Sequence, residues 1–270
     1  MRTVDRKLEK ARTIVRSLRS AAVAFSGGAD STLVAKLARD ELGGKAVAVT
    51  IDSPMYPESE LKGARAVASS IGIEHIVTSV DPFKEKGFVS NPPDRCYLCK
   101  TSDLTRIKEI AARHGLKEVV DGSNADDRND YRPGLKAKRE LGVRSPLAEA
   151  GIGKADVRRI SKALGLPTAT KSSSPCLASR IPYGESITKE KLRMIEEAEE
   201  FLKAKGFGQV RVRMHGDSAR IEVDPREVPR LATPGTRISV TRKLKSLGFT
   251  YVSVDLEGYR MGSLNEVLGK

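Results

Sequence analysis

Ser26-Gly27-Gly28-Ala29-Asp30-Ser31 stands between a short apolar run and a helical pattern, and this placement points to anion chemistry. Gly27 and Gly28 allow a sharp turn and close backbone approach, so successive N–H groups and the helix start can cradle a phosphate. Ser26 and Ser31 add hydroxyl donors. Asp30 repels a bare phosphate, so its expected use is to hold Mg²⁺ bridging phosphates. The segment is neither G-x-x-x-x-G-K-S/T, since the lysine is absent, nor G-x-G-x-x-G. A glycine turn capped by serine is the plain structural alternative.

The three cysteines form the second chemical set. Cys96 and Cys99 make a CxxC, and Cys176 stands alone far downstream. An odd count without an export signal reads as reduced thiols available for metal or catalysis. Lys171 and Arg180 flank Cys176 in sequence and would favour its thiolate, the form that attacks an activated carboxylate. Three thiolates also match a [4Fe-4S] cluster held at three corners, one iron remaining open to sulfide. Three alternatives stay open. A structural zinc would need His75, His114 or His215 as a fourth ligand, the CxxC could be redox-active, or the thiols could be inert and buried.

Arg211 and Arg213, two apart on a predicted strand, face one side and suit bidentate capture of a phosphate. A solvated strand face is the bland alternative. Arg180, beside Cys176, is a further anion ligand. Asp126 and Asp127 in DGSNADD (121–127) are candidates for Mg²⁺ or for orienting a nucleotide, against a helix-capping role.

The elements that position these residues follow from periodicity. Strands at 21–25, 46–51, 74–80 and 117–122 alternate with helices at 4–19, 31–42, 58–72, 101–115 and 155–165, which predicts an α/β, doubly wound parallel sheet. Residues 168–186, rich in Ser, Thr, Pro and Gly, read as a functional loop around Cys176. Beyond them a helix (188–204), two alternating strands (209–215, 219–224), a helix (236–247) and a strand (249–255) predict a smaller α+β domain. The expected division is 1–170 for the nucleotide domain, 171–186 for the linker and 187–270 for the C-terminal domain.

With 48 basic against 35 acidic residues, the 270-residue chain carries a formal charge of +13, which implies an anionic partner. Tryptophan is absent and aromatics make up 4%, so a base-stacking platform is poorly supplied. The longest uncharged run, Ser20 to Ala29, is about half what a bilayer span requires. The N-terminal residues resemble neither a secretory signal nor a transit peptide, and a cytoplasmic protein with no membrane association is expected.

SGGxDS in its strand–loop–helix setting resembles the PP-loop ATP pyrophosphatases (adenine nucleotide alpha-hydrolase-like), which cleave ATP between the α- and β-phosphates and adenylate a substrate. DGSNADD, DYRPG (130–134), VRSPL (143–147), SPCLASRIPYG (174–184) and VRVRMHGDSARIEVD (210–224), in that order, resemble the LarE family of ATP-dependent sacrificial sulfur transferases. The resemblance runs from about residue 15 to 260. It implies ATP and Mg²⁺ at Ser26, Gly27, Gly28, Asp30, Ser31, Gly122 and Asp127. It also implies catalytic roles for Cys176, Asp30 and Arg180, and a substrate phosphate on Arg211 and Arg213. The implied substrate is a small anionic nucleotide, pyridinium-3,5-biscarboxylate mononucleotide, thiolated for a nickel-pincer cofactor by a homo-oligomer. In the sacrificial route the cysteine at 176 gives up its own sulfur. The additional CxxC resembles the cluster-bearing variant, with Cys96, Cys99 and Cys176 as ligands and sulfide or another sulfur donor supplied from outside. A tRNA thiolase of the same superfamily is the competing enzyme reading, with tRNA as partner. A non-catalytic ATP-binding zinc protein is the competing non-enzyme reading.

Overall fold

The computed structural model describes residues 3–129, 133–172, 174–260 and 262–268; Asp130, Tyr131 and Arg132 of the DYRPG segment lie outside them. The chain divides into two compact units. The first comprises Met1–Glu85 and Asp94–Ser174, the second Lys86–Pro93 and Pro175–Lys270.

In the first unit the order is α1 (Thr3–Ser17), β1 (Ala21–Ala24), α2 (Ala29–Leu42), β2 (Ala46–Asp52), α3 (Glu58–Ile71), β3 (Glu74–Ser79), α4 (Arg95–Arg113), β4 (Glu118–Val120), α5 (Gly134–Glu140), α6 (Pro146–Glu149) and α7 (Lys154–Ala163). The strands form one sheet in the order β3-β2-β1-β4, parallel throughout, with Val23 opposite Ala48 on one side and Val120 on the other. Successive residues of the central β1 and of most of β2 are apolar and buried because helices cover both faces, whereas the edge strand β3 carries Glu74, His75, Thr78 and Ser79. Val23 packs with Leu33 and Leu37 of α2 and Ala64 of α3, whereas Ala22, Val47 and Val49 pack with Leu104, Ile107 and Ala111 of α4. Full burial of each Val, Leu or Ile contributes roughly 1.5–3 kcal/mol.

The sheet has a consequence for function. β1 lies between β2 and β4, so the connections leaving β1 and β4 diverge at their carboxyl ends. Open α/β sheets bind ligands at such a switch point.

α4 begins at Arg95, not at 101 as periodicity predicts. Pro92 and Pro93 end the preceding segment and Asp94 occupies the N-cap position, so both CxxC cysteines fall inside the first two turns. The short helices α5 and α6 arise where the sequence shows no sustained period.

The second unit contains α8 (Lys189–Ala204), β5 (Val210–His215), β6 (Ser218–Val223), α9 (Val228–Ala232), α10 (Pro234–Ser246) and β7 (Tyr251–Val254). Its sheet is mixed: β5 and β6 form an antiparallel hairpin, and β7 joins β6 in parallel after α9 and α10. Residues 86–93 pack here despite their position in the sequence. The buried Asn91 side chain donates to the Pro182 and Ile181 carbonyls at 2.7 and 3.2 Å, and Val89 accepts from the Ile187 N–H. Among the described residues, no helix is long and apolar enough to cross a membrane.

Candidate active site

The loop after β1 is held by the protein's own contacts. Thr50 of β2 donates to the Phe25 carbonyl at 2.8 Å. Its hydroxyl therefore accepts from His75 Nε2, 2.7 Å away, and the His75 ring meets Phe25 edge-on. Burial, with Arg65 nearby, holds the imidazole below its ordinary pKa. Gly27 then turns at φ +66, and Gly28 occupies the N-cap position of α2 with no side-chain cap. Ser26 and Ser31 close the turn, their hydroxyls 3.1 Å apart, and Ser31 donates to the Gly28 carbonyl at 3.3 Å. The uncapped helix start leaves donors directed at an incoming anion.

The loop after β4 meets this turn. Gly122 lies against Asp30 and Ser31, and Asn124 Nδ2 donates to Asp30 Oδ1 at 3.1 Å. Asp127 is buried, accepts from the Asn124 N–H at 3.0 Å and has Lys154 Nζ 3.9 Å from its other oxygen. Burial raises the Asp30 carboxyl above its ordinary value, and the charge of Asp127 adds to the rise. Asp126 points elsewhere: it accepts the Lys154 N–H at 2.7 Å and so caps α7. Of the two adjacent aspartates, one caps a helix and the other faces Asp30.

A buried network supports this second loop. Asp121 accepts from Lys138 Nζ at 2.8 Å, Ser145 Oγ at 2.6 Å and Ser123 Oγ at 2.8 Å. Burial opposes its ionisation, but Lys138 prevails and holds the carboxyl below its ordinary value. Asn124 belongs to DGSNADD itself, whereas Lys138 lies outside any motif.

In the second unit, Cys176 precedes a 3-10 turn, Leu177–Arg180. Arg180 is 1% exposed and forks onto Glu199, with Nε and NH2 at 2.8 and 2.9 Å from its two oxygens. Its third nitrogen donates to the Pro175 and Cys176 carbonyls at 2.8 and 3.0 Å, which fixes the backbone beside the thiol. Arg213 forks similarly onto Glu222 at 2.9 and 3.0 Å and donates to the Ser179 carbonyl at 2.6 Å. Arg211 is buried with its guanidinium 5.1 Å from the Tyr259 ring centre. Burial, and then Arg180, lowers its pKa. Arg180, Arg211 and Arg213 thus converge in one buried, carboxylate-balanced cluster, not on a solvated strand face. Glu199 is the member that sequence reasoning missed; its place in α8 gives no signal in the chain.

Relatives now decide the family. The asparagine synthase family model matches residues 3–86, the segment that contains the glycine turn. The chain is 45% identical over 99% of its length to an uncharacterized protein of Synechocystis, whose full length is covered. It is 40% identical over 95% of its length to pyridinium-3,5-bisthiocarboxylic acid mononucleotide synthase of Lactiplantibacillus plantarum, covering 92% of that protein. The chain belongs to the LarE family. It is accordingly a PP-loop ATP-dependent sulfurtransferase. A more distant relative, a glutamine-hydrolyzing GMP synthase component of Archaeoglobus fulgidus, is 26% identical over 66% of the chain, covering 62% of that protein.

Two groups associated with LarE proteins can be tested against these residues. Mg²⁺ binds through one or two carboxylates together with phosphates and waters, and Asp30 with Asp127 supplies such a pair beside the phosphate cradle. Those residues fit. For an iron–sulfur cluster the three thiols fit in type and number: Cys96 is exposed, and Cys99 and Cys176 are half-buried. Among the described residues no group of three or more His, Cys, Asp or Glu is placed to hold a metal ion. Cys96 and Cys99 lie on α4 of the first unit, Cys176 in the second.

Proposed function

We propose that the protein thiolates the carboxylates of a pyridinium mononucleotide, pyridinium-3,5-biscarboxylate mononucleotide or a close analogue, in the assembly of a nickel-pincer nucleotide cofactor. The substrate class rests on the named relative of Lactiplantibacillus plantarum. The observation that carries the activation chemistry is the meeting of the two loops at the switch point, where Asn124 ties Asp30 beside the uncapped start of α2.

A carboxylate is a poor electrophile. Its oxygen attacks the α-phosphorus of ATP, pyrophosphate departs, and the acyl adenylate now carries AMP as leaving group. Gly27, Gly28 and the first turn of α2 bind the phosphates, while Asp30 and Asp127 hold Mg²⁺, which when bound neutralises phosphate charge. A sulfur nucleophile then attacks the acyl carbon and expels AMP. We place Cys176 at this second step. With Cys176 as donor, Sγ forms the thioester. Loss of its α-proton then breaks the Cβ–Sγ bond, leaving thiocarboxylate and dehydroalanine. Arg180, Arg211 and Arg213 supply the positive charge for the substrate phosphate, with Glu199 and Glu222 holding them in place.

A second reading is favoured by one observation: Cys96 and Cys99 lie three residues apart on one face of α4, where the donor route gives neither a task. We propose that all three cysteines act together as thiolate ligands of a [4Fe-4S] cluster, with sulfide as the transferred sulfur.

Asp30→Asn tests the activation step. The variant should fold normally and lose Mg²⁺-dependent pyrophosphate release with the biscarboxylate substrate. Wild-type release rates in that variant would remove Asp30 from metal binding.

A further inference from the structure

Lys171 reaches back across the chain to the glycine turn. Its Nζ donates to the Gly27 carbonyl at 3.2 Å and to Glu60 Oε2 at 2.7 Å. Glu60 and Ala64 lie one turn apart on α3 and so share a face. Ala64 closes the other side of the same glycine: a Cβ on Gly27 would sit 2.8 Å from Ala64 Cα. Gly27 is therefore gripped by backbone contact with α3 and by a cation anchored on that helix.

The grip has a directional effect. The Gly27 carbonyl and the Gly28 N–H belong to one trans peptide and point in opposite directions. Fixing the carbonyl aims the N–H, and an ammonium on the oxygen polarises the peptide so that its N–H donates more strongly. Among the described residues that N–H has only a long contact, 3.4 Å to Ser26 Oγ. An anion in the cradle would be a better acceptor.

We propose that Lys171, anchored by Glu60, is a positioning residue of the ATP site that aims the Gly28 N–H at a phosphate of the nucleotide. This rests on the assignment of the glycine turn to ATP. It predicts a defect confined to the phosphates, since nothing in the contact involves a base or sugar.

The test is equilibrium binding of ATP and, separately, of adenosine to the full-length protein in Mg²⁺ buffer. Lys171→Met keeps the aliphatic stem and should weaken ATP roughly tenfold while leaving adenosine within about twofold. Lys171→Arg should recover most of the ATP affinity. Glu60→Gln, which removes the anchor's charge, should weaken ATP by about threefold without affecting adenosine, and it keeps the proposal testable if Lys171→Met fails to fold. Unchanged ATP binding in Lys171→Met, or an equal loss for adenosine, would overturn the proposal. A wild-type protein that binds neither ligand would instead remove the ATP assignment, and this inference with it.

Discussion

Gly122 and Ser31 are in backbone contact: a Cβ on Gly122 would lie 2.6 Å from the Ser31 nitrogen and 2.9 Å from its Cα. The contact joins two segments that are far apart in sequence, and it is what allows Asn124 to reach Asp30. The nucleotide site proposed at the sheet's switch point therefore depends on a position where only hydrogen fits.

Gly122→Ala should consequently damage both fold and site. The clash is with main chain, so no side-chain rotation relieves it. We expect a loss of about 1–3 kcal/mol in urea unfolding, together with weakened ATP binding. Gly44→Ala provides the control, because nothing lies within 4 Å of a Cβ there. Equal behaviour of the two variants would show that the Gly122 contact is not limiting.

The glycine turn was legible in sequence because its chemistry is local: the glycines, serines and aspartate are consecutive, between a strand and a helix. The four-strand parallel sheet was legible from the alternation of helices with short strands, β1 and most of β2 being apolar runs and β3 and β4 carrying shorter apolar centres. The early start of α4 was hidden by the prolines and charges before it. Residues that act across the fold left no trace. Glu199 lies among other glutamates of α8, and its selection by Arg180 appears only when α8 packs on β5. Lys138 looks like any basic residue of a short helix. Asp126 and Asp127 are adjacent and chemically alike, and only the Asp126 contact with the start of α7 separates their tasks.

Asp103 supplies a pH test independent of the chemistry. Burial pushes its carboxyl up to about 6, against opposing effects of Lys100 and the Tyr56 hydroxyl. The folded form thus holds a proton that the unfolded chain releases near pH 4, and its contribution to stability falls as pH rises from about 4 to 6. Asp103→Asn removes that dependence. In urea unfolding across pH 4.5–7.5, a window that spans the raised value, the variant should gain on the wild type by about 2 kcal/mol toward neutrality. Parallel stability curves would rule out a buried, proton-retaining Asp103.

The Arg180–Glu199 pair invites a double-mutant cycle. Both groups are almost fully buried, so removing either charge strands the other. Glu199→Gln alone should cost about 3–5 kcal/mol in unfolding free energy, and Arg180→Met alone a similar amount. The combined Arg180→Met, Glu199→Gln variant should recover part of the sum, because no uncompensated charge remains. Additive losses would mean that the two residues act separately.

The cysteines separate a consumed protein from a reusable one. As cluster ligands, Cys96, Cys99 and Cys176 should be equivalent: each single Ala variant, purified without oxygen, should lose the same brown chromophore and its iron. The protein mass should be unchanged after turnover. As a sacrificial donor, Cys176 alone would matter, Cys96→Ala and Cys99→Ala would transfer sulfur normally, and the spent chain would be lighter by about 34 Da, one H₂S. Equivalent losses would establish the cluster reading, in which the two thiols at the start of α4 have a task. A mass loss confined to Cys176 with no iron requirement would instead make Cys176 the sulfur donor, and Cys96 and Cys99 would then be dispensable for transfer.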